Sequence, residues 1–240
     1  MSDRVRLPEA GTRAPTEVAA TRPQGGAVRR RALVGATLTA PALLAGCVSI
    51  GSGGDGAPAV QLALRDDAPP PAPRPAPIVD ALLIQPAPGD ALVDTAAIAY
   101  SRRPHEYAYY QFSTWTDRPL RTLPRLLQRR LEARRVAGAV GLAGDPLHAD
   151  WLVVLAVETL VHDAATLPGV GRVALDVQLF DRRQRTRVAQ RRFAAAVPAE
   201  RAEAAAAAAA ISTAVARAFD DLVPWLEDTL QRAVAARQPA

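Results

Sequence analysis

Hydrophobic and polar positions change rhythm several times along the 240 residues, and each change marks an element. Val60–Leu64 alternates and predicts a short first strand. Ile78–Gln85 is rich in Ile, Val and Leu, stops at Pro86, and reads as a buried strand. Ile98–Ser101 and Glu106–Ser113 pair as a hairpin across Arg102-Arg103-Pro104-His105. Asp117–Val136 has helical spacing, with Asp117 placed to cap it and Pro119 in its first turn. Leu120, Leu123, Leu127 and Leu131 form its apolar stripe, with Leu126 beside it. Arg121, Arg125, Gln128, Arg129 and Glu132 take the outer face, which is a solvated surface before it is a phosphate site. Ala139–Leu142 makes a short strand. Trp151–Val161 is almost continuously apolar and suits the middle of a sheet. Arg172–Asp181 then points Val173, Leu175, Val177 and Leu179 inward. Thr186–Val197 loses its phase between Val188 and Phe193, as a bulged or edge strand does. A helical run from Ala199 to Arg237 closes the chain, with a kink or break expected near Val223 because Pro224 follows. Its Ala204–Ala210 block either permits very close packing or reflects composition. The order β-β-hairpin-α-β-β-β-β-α describes an α/β two-layer sandwich, a mostly antiparallel sheet packed by two main helices.

Aromatic residues concentrate in one stretch. All four tyrosines fall between Ala97 and Trp115, together with Phe112. Strict alternation puts Tyr107 and Tyr109 on one face of the second hairpin strand and Tyr110 and Phe112 on the other. Either one face fills the core and the other is ordinary decoration, or Tyr107, Tyr109, Tyr110, Phe112 and Trp115 form a surface for a partner or for lipid.

Before the first strand the pattern is of another kind. Arg29-Arg30-Arg31 precedes an apolar run that starts at Ala32 and ends in Leu44-Ala45-Gly46-Cys47. A basic stretch, an apolar stretch and small residues at a cut site make a secretory signal. At about 15 residues with Pro41 inside, the run is shorter than the ~20 a membrane span needs. Cys47 is the only cysteine, and Leu44–Cys47 looks like a bacterial lipobox. Cleavage between Gly46 and Cys47, with a diacylglycerol on the thiol and an acyl chain on the new amino terminus, gives a stable anchor. No thiol is left for a disulfide. Residues 1–28 are polar and aperiodic, so either translation begins near Val28 or Arg30-Arg31 belongs to a twin-arginine signal. The expected divisions are thus 1–46 leader and signal, 47–77 lipidated tether, and 78–237 folded domain. Within the tether, Ala68–Pro77 is proline-rich and reads as a stiff connector or, less simply, as a ligand for a proline-binding groove.

Charge changes little. The net charge is +5, yet residues 1–46 hold seven Arg against three acids, so the remainder is close to neutral. The chain contains no lysine, and its 29 basic residues reflect coding bias toward Arg more than a nucleic-acid partner. His105, His148 and His162 have no metal-ligand spacing. Neighbouring His162 and Asp163 point to opposite faces of a strand, so they are no acid–base pair. Glycine-rich phosphate loops and nucleophile elbows are missing from the sequence. Binding, anchoring and assembly fit this inventory better than catalysis, cofactor or metal chemistry.

The stretch Ile98-Ala99-Tyr100, then Tyr110-Gln111-Phe112-Ser113-Thr114-Trp115, the helix Pro119–Leu131, the strand Trp151–Val161, and Arg192-Phe193 through Pro198 together resemble the ABC-type transport auxiliary lipoproteins, the PqiC-like family. The resemblance covers about 60 to 230. It implies a small α/β periplasmic domain held by lipid, working with an MCE-domain protein and through it an ABC permease and ATPase, moving lipids or other hydrophobic molecules across the envelope. It also implies assembly into rings. Val48 stands where an aspartate would retain the protein at the inner membrane, so the periplasmic face of the outer membrane is expected. An outer-membrane biogenesis lipoprotein that binds a β-barrel or envelope polymer is the alternative.

Overall fold

A computed structural model describes residues 59–237. The signal, Gly46 and Cys47 lie outside them. Chain order is β1 (Val60–Leu62), β2 (Val79–Pro86), β3 (Ala97–Arg103), β4 (Glu106–Trp115), α1 (Pro119–Arg134), β5 (Ala137–Leu142), β6 (Trp151–Asp163), β7 (Val170–Asp181), β8 (Thr186–Pro198) and α2 (Ala204–Arg237). The result is an α/β sandwich of one eight-stranded sheet and two helices.

β6 organises the sheet, as its apolar run predicts. Along one edge it pairs antiparallel with β7 over its whole length, and β7 pairs antiparallel with β8. Its other edge is shared: β2 lies parallel to Trp151–Leu155, and β3 lies parallel to His162 and Asp163. Outward from these, β5 pairs parallel with β2, β4 antiparallel with β3, and β1 parallel with β4. The long pairings are antiparallel and the parallel ones short. β8 is an edge strand, and Leu179 faces Ala189 while Phe180 faces Arg187, so Val188 is the extra residue of a bulge. That is the phase loss seen in the sequence.

One core lies between sheet and helices. Val153, Leu155, Leu175, Val177 and Leu179 supply its sheet side. Leu123, Leu127 and Leu131 of α1 and Ile211, Val215, Phe219, Leu222, Leu226 and Leu230 of α2 supply its helix side, all fully buried. Both helices differ from expectation at their ends. Arg118, not Asp117, is the N-cap of α1, and it makes no side-chain cap bond. The Asp117 carboxylate instead accepts from the Arg118 backbone N–H at 2.8 Å and from Arg125 at 3.2 Å. α2 begins at Ala204 rather than Ala199 and stays helical through Pro224 to Arg237. Its alanines do permit close packing. A Cβ on Gly171 of β7 would stand 2.5 Å from the Ile211 nitrogen and 2.6 Å from the Ala210 carbonyl carbon, so helix and strand backbones nearly touch there.

The segment that starts at Val60 and includes the proline-rich stretch packs on the rest of the fold, with β1 paired to β4. Leu64 is buried in the core. The Arg74 N–H donates to the Arg134 carbonyl at 2.9 Å, and the Arg74 and Arg134 guanidiniums share the Glu227 carboxylate of α2. Prolines have no N–H to donate, so the run is held through its one arginine, by both backbone and side chain.

Candidate functional site

The β3–β4 hairpin turns at Pro104-His105, where His105 takes the left-handed conformation with φ 65°. Along β4 the pairing slips: Tyr109 faces Ala99, but Thr114 faces Ala97, so the strand carries extra residues that β3 does not match. Tyr110 and Phe112 line one cleft, as alternation puts them, but at different depths. Tyr110 packs half-buried against the core, whereas Phe112 is 54% exposed. Tyr107 and Tyr109 are also in solvent, at 54% and 43%. Trp115 is 2% exposed and part of the core, so of the five aromatic residues it offers nothing to a partner. Alternation gives the side of a strand and not the depth of each side chain.

Tyr110 is fixed from below. Its hydroxyl donates to His162 Nδ1 at 2.8 Å, and the other ring nitrogen, Nε2, donates to the Pro168 carbonyl at 3.1 Å. A carbonyl only accepts, so Nε2 carries a proton, and in the neutral imidazole Nδ1 is then the acceptor of the Tyr110 hydroxyl. Burial pushes the His162 pKa below its usual value of 6.5 more than the Pro168 bond and the nearby Asp163 raise it. Burial likewise raises Tyr110, helped by Tyr100 and opposed by Arg102. Tyr100 packs against Tyr110 with the rings tilted by 50° and centroids 5.0 Å apart, and it carries the Arg102 guanidinium over its ring at 5.2 Å. Asp163, on the opposite face as expected, accepts from the Ala165 N–H and from Arg172 at 2.8 Å, and both hold its carboxyl low.

Between these groups and the β6–β7 turn opens a cleft of about 260 Å³, lined by Tyr100, Tyr110, Phe112, His162, Leu167 and Ala202. Leu167 stands out at its rim, 67% exposed. Val60, beside Ser113 on β4, adds another exposed side chain. Of the large apolar side chains exposed among the described residues, Val188 alone lies elsewhere. The surface is a wall of aromatic and aliphatic groups with phenol and guanidinium edges, suited to apolar contact rather than to proton or phosphoryl transfer. Among the described residues no three His, Cys, Asp or Glu side chains converge as metal ligands.

Sequence reading missed Arg130. It sits inside the apolar stripe of α1, 7% exposed, between Asp66 and Asp220 and over the Phe219 ring. Its spacing from Leu123 and Leu127 was the available signal, and the acid that answers it lay in the presumed tether.

Comparison with known proteins agrees with this geometry. Protein XCC0632 from Xanthomonas campestris, of the DUF330 family, superposes with a TM-score of 0.61 at 24% identity, covering 74% of this chain and 97% of that one. An uncharacterised protein superposes with a TM-score of 0.53 at 14% identity, over 70% and 99%. These likenesses establish the fold. Curated proteins give no match. The model of the ABC-type transport auxiliary lipoprotein component family matches residues 62–223. That stretch runs from β1 deep into α2 and includes the hairpin, the cleft and Arg130, so this chain belongs to the family of ABC-type transport auxiliary lipoproteins.

Proposed function

We propose that the protein is the non-catalytic, lipid-anchored accessory subunit of an ABC transport system built around an MCE-domain protein. In this reading it moves no cargo itself. It holds the outer part of the assembly at the periplasmic face of the outer membrane while the permease and ATPase work at the inner one. Cargo is a lipid or another hydrophobic molecule, and several copies form a ring. The observation that carries the proposal is the family match across nearly the whole folded domain. The family is one of transport components, not of enzymes. Support for the anchor comes from the sequence: Arg29–Arg31, the apolar run, and Leu44-Ala45-Gly46-Cys47. The diacylglycerol and amino-terminal acyl chain at Cys47 would be its only prosthetic groups.

Crosslinking in intact cells, purification from membranes and mass spectrometry of the captured proteins test this. Recovery of an MCE-domain protein with an ABC ATPase supports it. Recovery of a β-barrel or an envelope polymer in their place would move the protein to the alternative, an outer-membrane biogenesis lipoprotein.

A further inference from the structure

We infer that the aromatic end of the domain, with Tyr107, Tyr109, Phe112 and Leu167 foremost, sits in the headgroup region of the bilayer that holds Cys47. This rests on the anchor reading above and gives its exposed surface an occupant.

Chain direction is the first argument. β1 runs parallel to β4, with Val60 opposite Ser113 and Leu62 opposite Trp115. β4 itself starts at the hairpin turn, so the backbone enters β1 from the side of Phe112 and the tyrosines. The residues leading back to Cys47 therefore join the domain at its aromatic end.

Length is the second. Thirteen positions separate Cys47 from Val60, and the intervening segment is rich in Gly and Ser. A coil of thirteen Gly- and Ser-rich residues has a root-mean-square span of about 20 Å. β6, by contrast, covers about 40 Å from Trp151 to Asp163 at ~3.3 Å per residue. Asp163 and His162 lie at the aromatic end beside Tyr100 and Ser101, whereas Trp151 pairs with Asp181 at the arginine-rich Arg182–Arg185 turn. Chain entry is thus at the aromatic end, and the arginine-rich turn lies about one strand length away from it.

Chemistry is the third. Two exposed tyrosines, a phenylalanine and a leucine on a projecting turn match the amphipathic layer between headgroup and acyl chain. Arg102 and Arg103 flank them and can lie along the apolar surface with their charges at phosphate level. Ile98 and Trp115 of the same hairpin, by contrast, are buried in the core. Among the described residues no helix is long and apolar enough to cross a membrane.

The sole cysteine makes the test selective. Full-length protein carrying Phe112→Cys, Leu167→Cys or Gln184→Cys is expressed, purified from membranes, spin-labelled, and reconstituted in vesicles of phosphatidylethanolamine and phosphatidylglycerol. If Cys47 is acylated, each variant takes one label. Accessibility to oxygen, which partitions into lipid, is then compared with accessibility to a water-soluble nickel chelate. The expected result is a severalfold higher oxygen-to-nickel ratio at 112 and 167 than at 184. Aqueous ratios at all three, equal ratios at all three, or shielding of 112 and 167 from both reagents would overturn the inference while leaving the anchor intact. A second label, at position 47, would instead remove the anchor and the inference with it.

Discussion

Arg130 grips Asp66 with two parallel hydrogen bonds, Nε to Oδ2 at 2.7 Å and Nη2 to Oδ1 at 2.6 Å, across 64 positions of chain. Its remaining nitrogen, Nη1, reaches Asp220 at 2.7 Å and the Ala216 carbonyl at 3.1 Å. One guanidinium thus ties the proline-rich segment, α1 and α2 together. Arg130→Ala leaves the Asp66 carboxylate, only 13% exposed, without its partner. The expected loss is about 3–5 kcal/mol, read as a lower urea midpoint. Asp220→Asn should cost less than about 1 kcal/mol, because that carboxylate is largely in water. Equal losses from both would contradict the assignment of Asp66 as the main partner.

Gly171 predicts a steric effect. Gly171→Ala drives a methyl into the backbone of α2 at Ala210 and Ile211, where no flexible side chain can yield. A loss of about 1–3 kcal/mol is expected, visible as a lower melting temperature. An unchanged melting temperature would mean that the helix can stand off from the sheet.

Trp115 and Phe112 separate core from surface three residues apart. Trp115→Ser should cost about 3–5 kcal/mol and reduce folded yield. Phe112→Ser and Tyr107→Ser should stay within about 0.5 kcal/mol of the parent in the same unfolding assay.

How far the sequence carries is visible in these residues. β6, the clean alternation of β7 and the amphipathic stripe of α1 are local patterns, and each recurs in the structure. So do the hairpin, the edge position of β8 and the family resemblance. Three matters needed the third dimension. The slip in β4 depends on how it pairs with β3, and no count along one strand reveals it. Close contact at Gly171 depends on a helix thirty to forty residues downstream. The docking of the proline-rich segment depends on Arg130, whose charge in an apolar stripe makes sense only once Asp66 is beside it. Candidate surface residues fared accordingly: Tyr107, Tyr109 and Phe112 are exposed, Tyr110 is half-buried on His162, and Trp115 is core.

His162 sets a pH dependence. Its folded pKa lies below the ordinary 6.5, so above 6.5 it is neutral in both states and its contribution is complete. As pH falls from 6.5 through the depressed folded value, the unfolded chain binds the proton first and stability is lost. Unfolding free energies measured from pH 7 to 5 should decline in the parent, and the decline should be shallower in His162→Gln. Asp163, whose pKa is lowered from 3.8, adds its own loss only at more acidic pH. Parallel profiles for parent and variant would exclude the Tyr110–His162–Pro168 chain as the cause.

Everything about transport presupposes a lipid at Cys47. Intact mass spectrometry of the protein extracted from native membranes reads this directly. The account predicts a chain that begins at Cys47 and carries a diacylglycerol thioether and an amino-terminal acyl group. A chain that still contains Gly46, with an unmodified thiol at 47 and recovered from the soluble fraction, would contradict it.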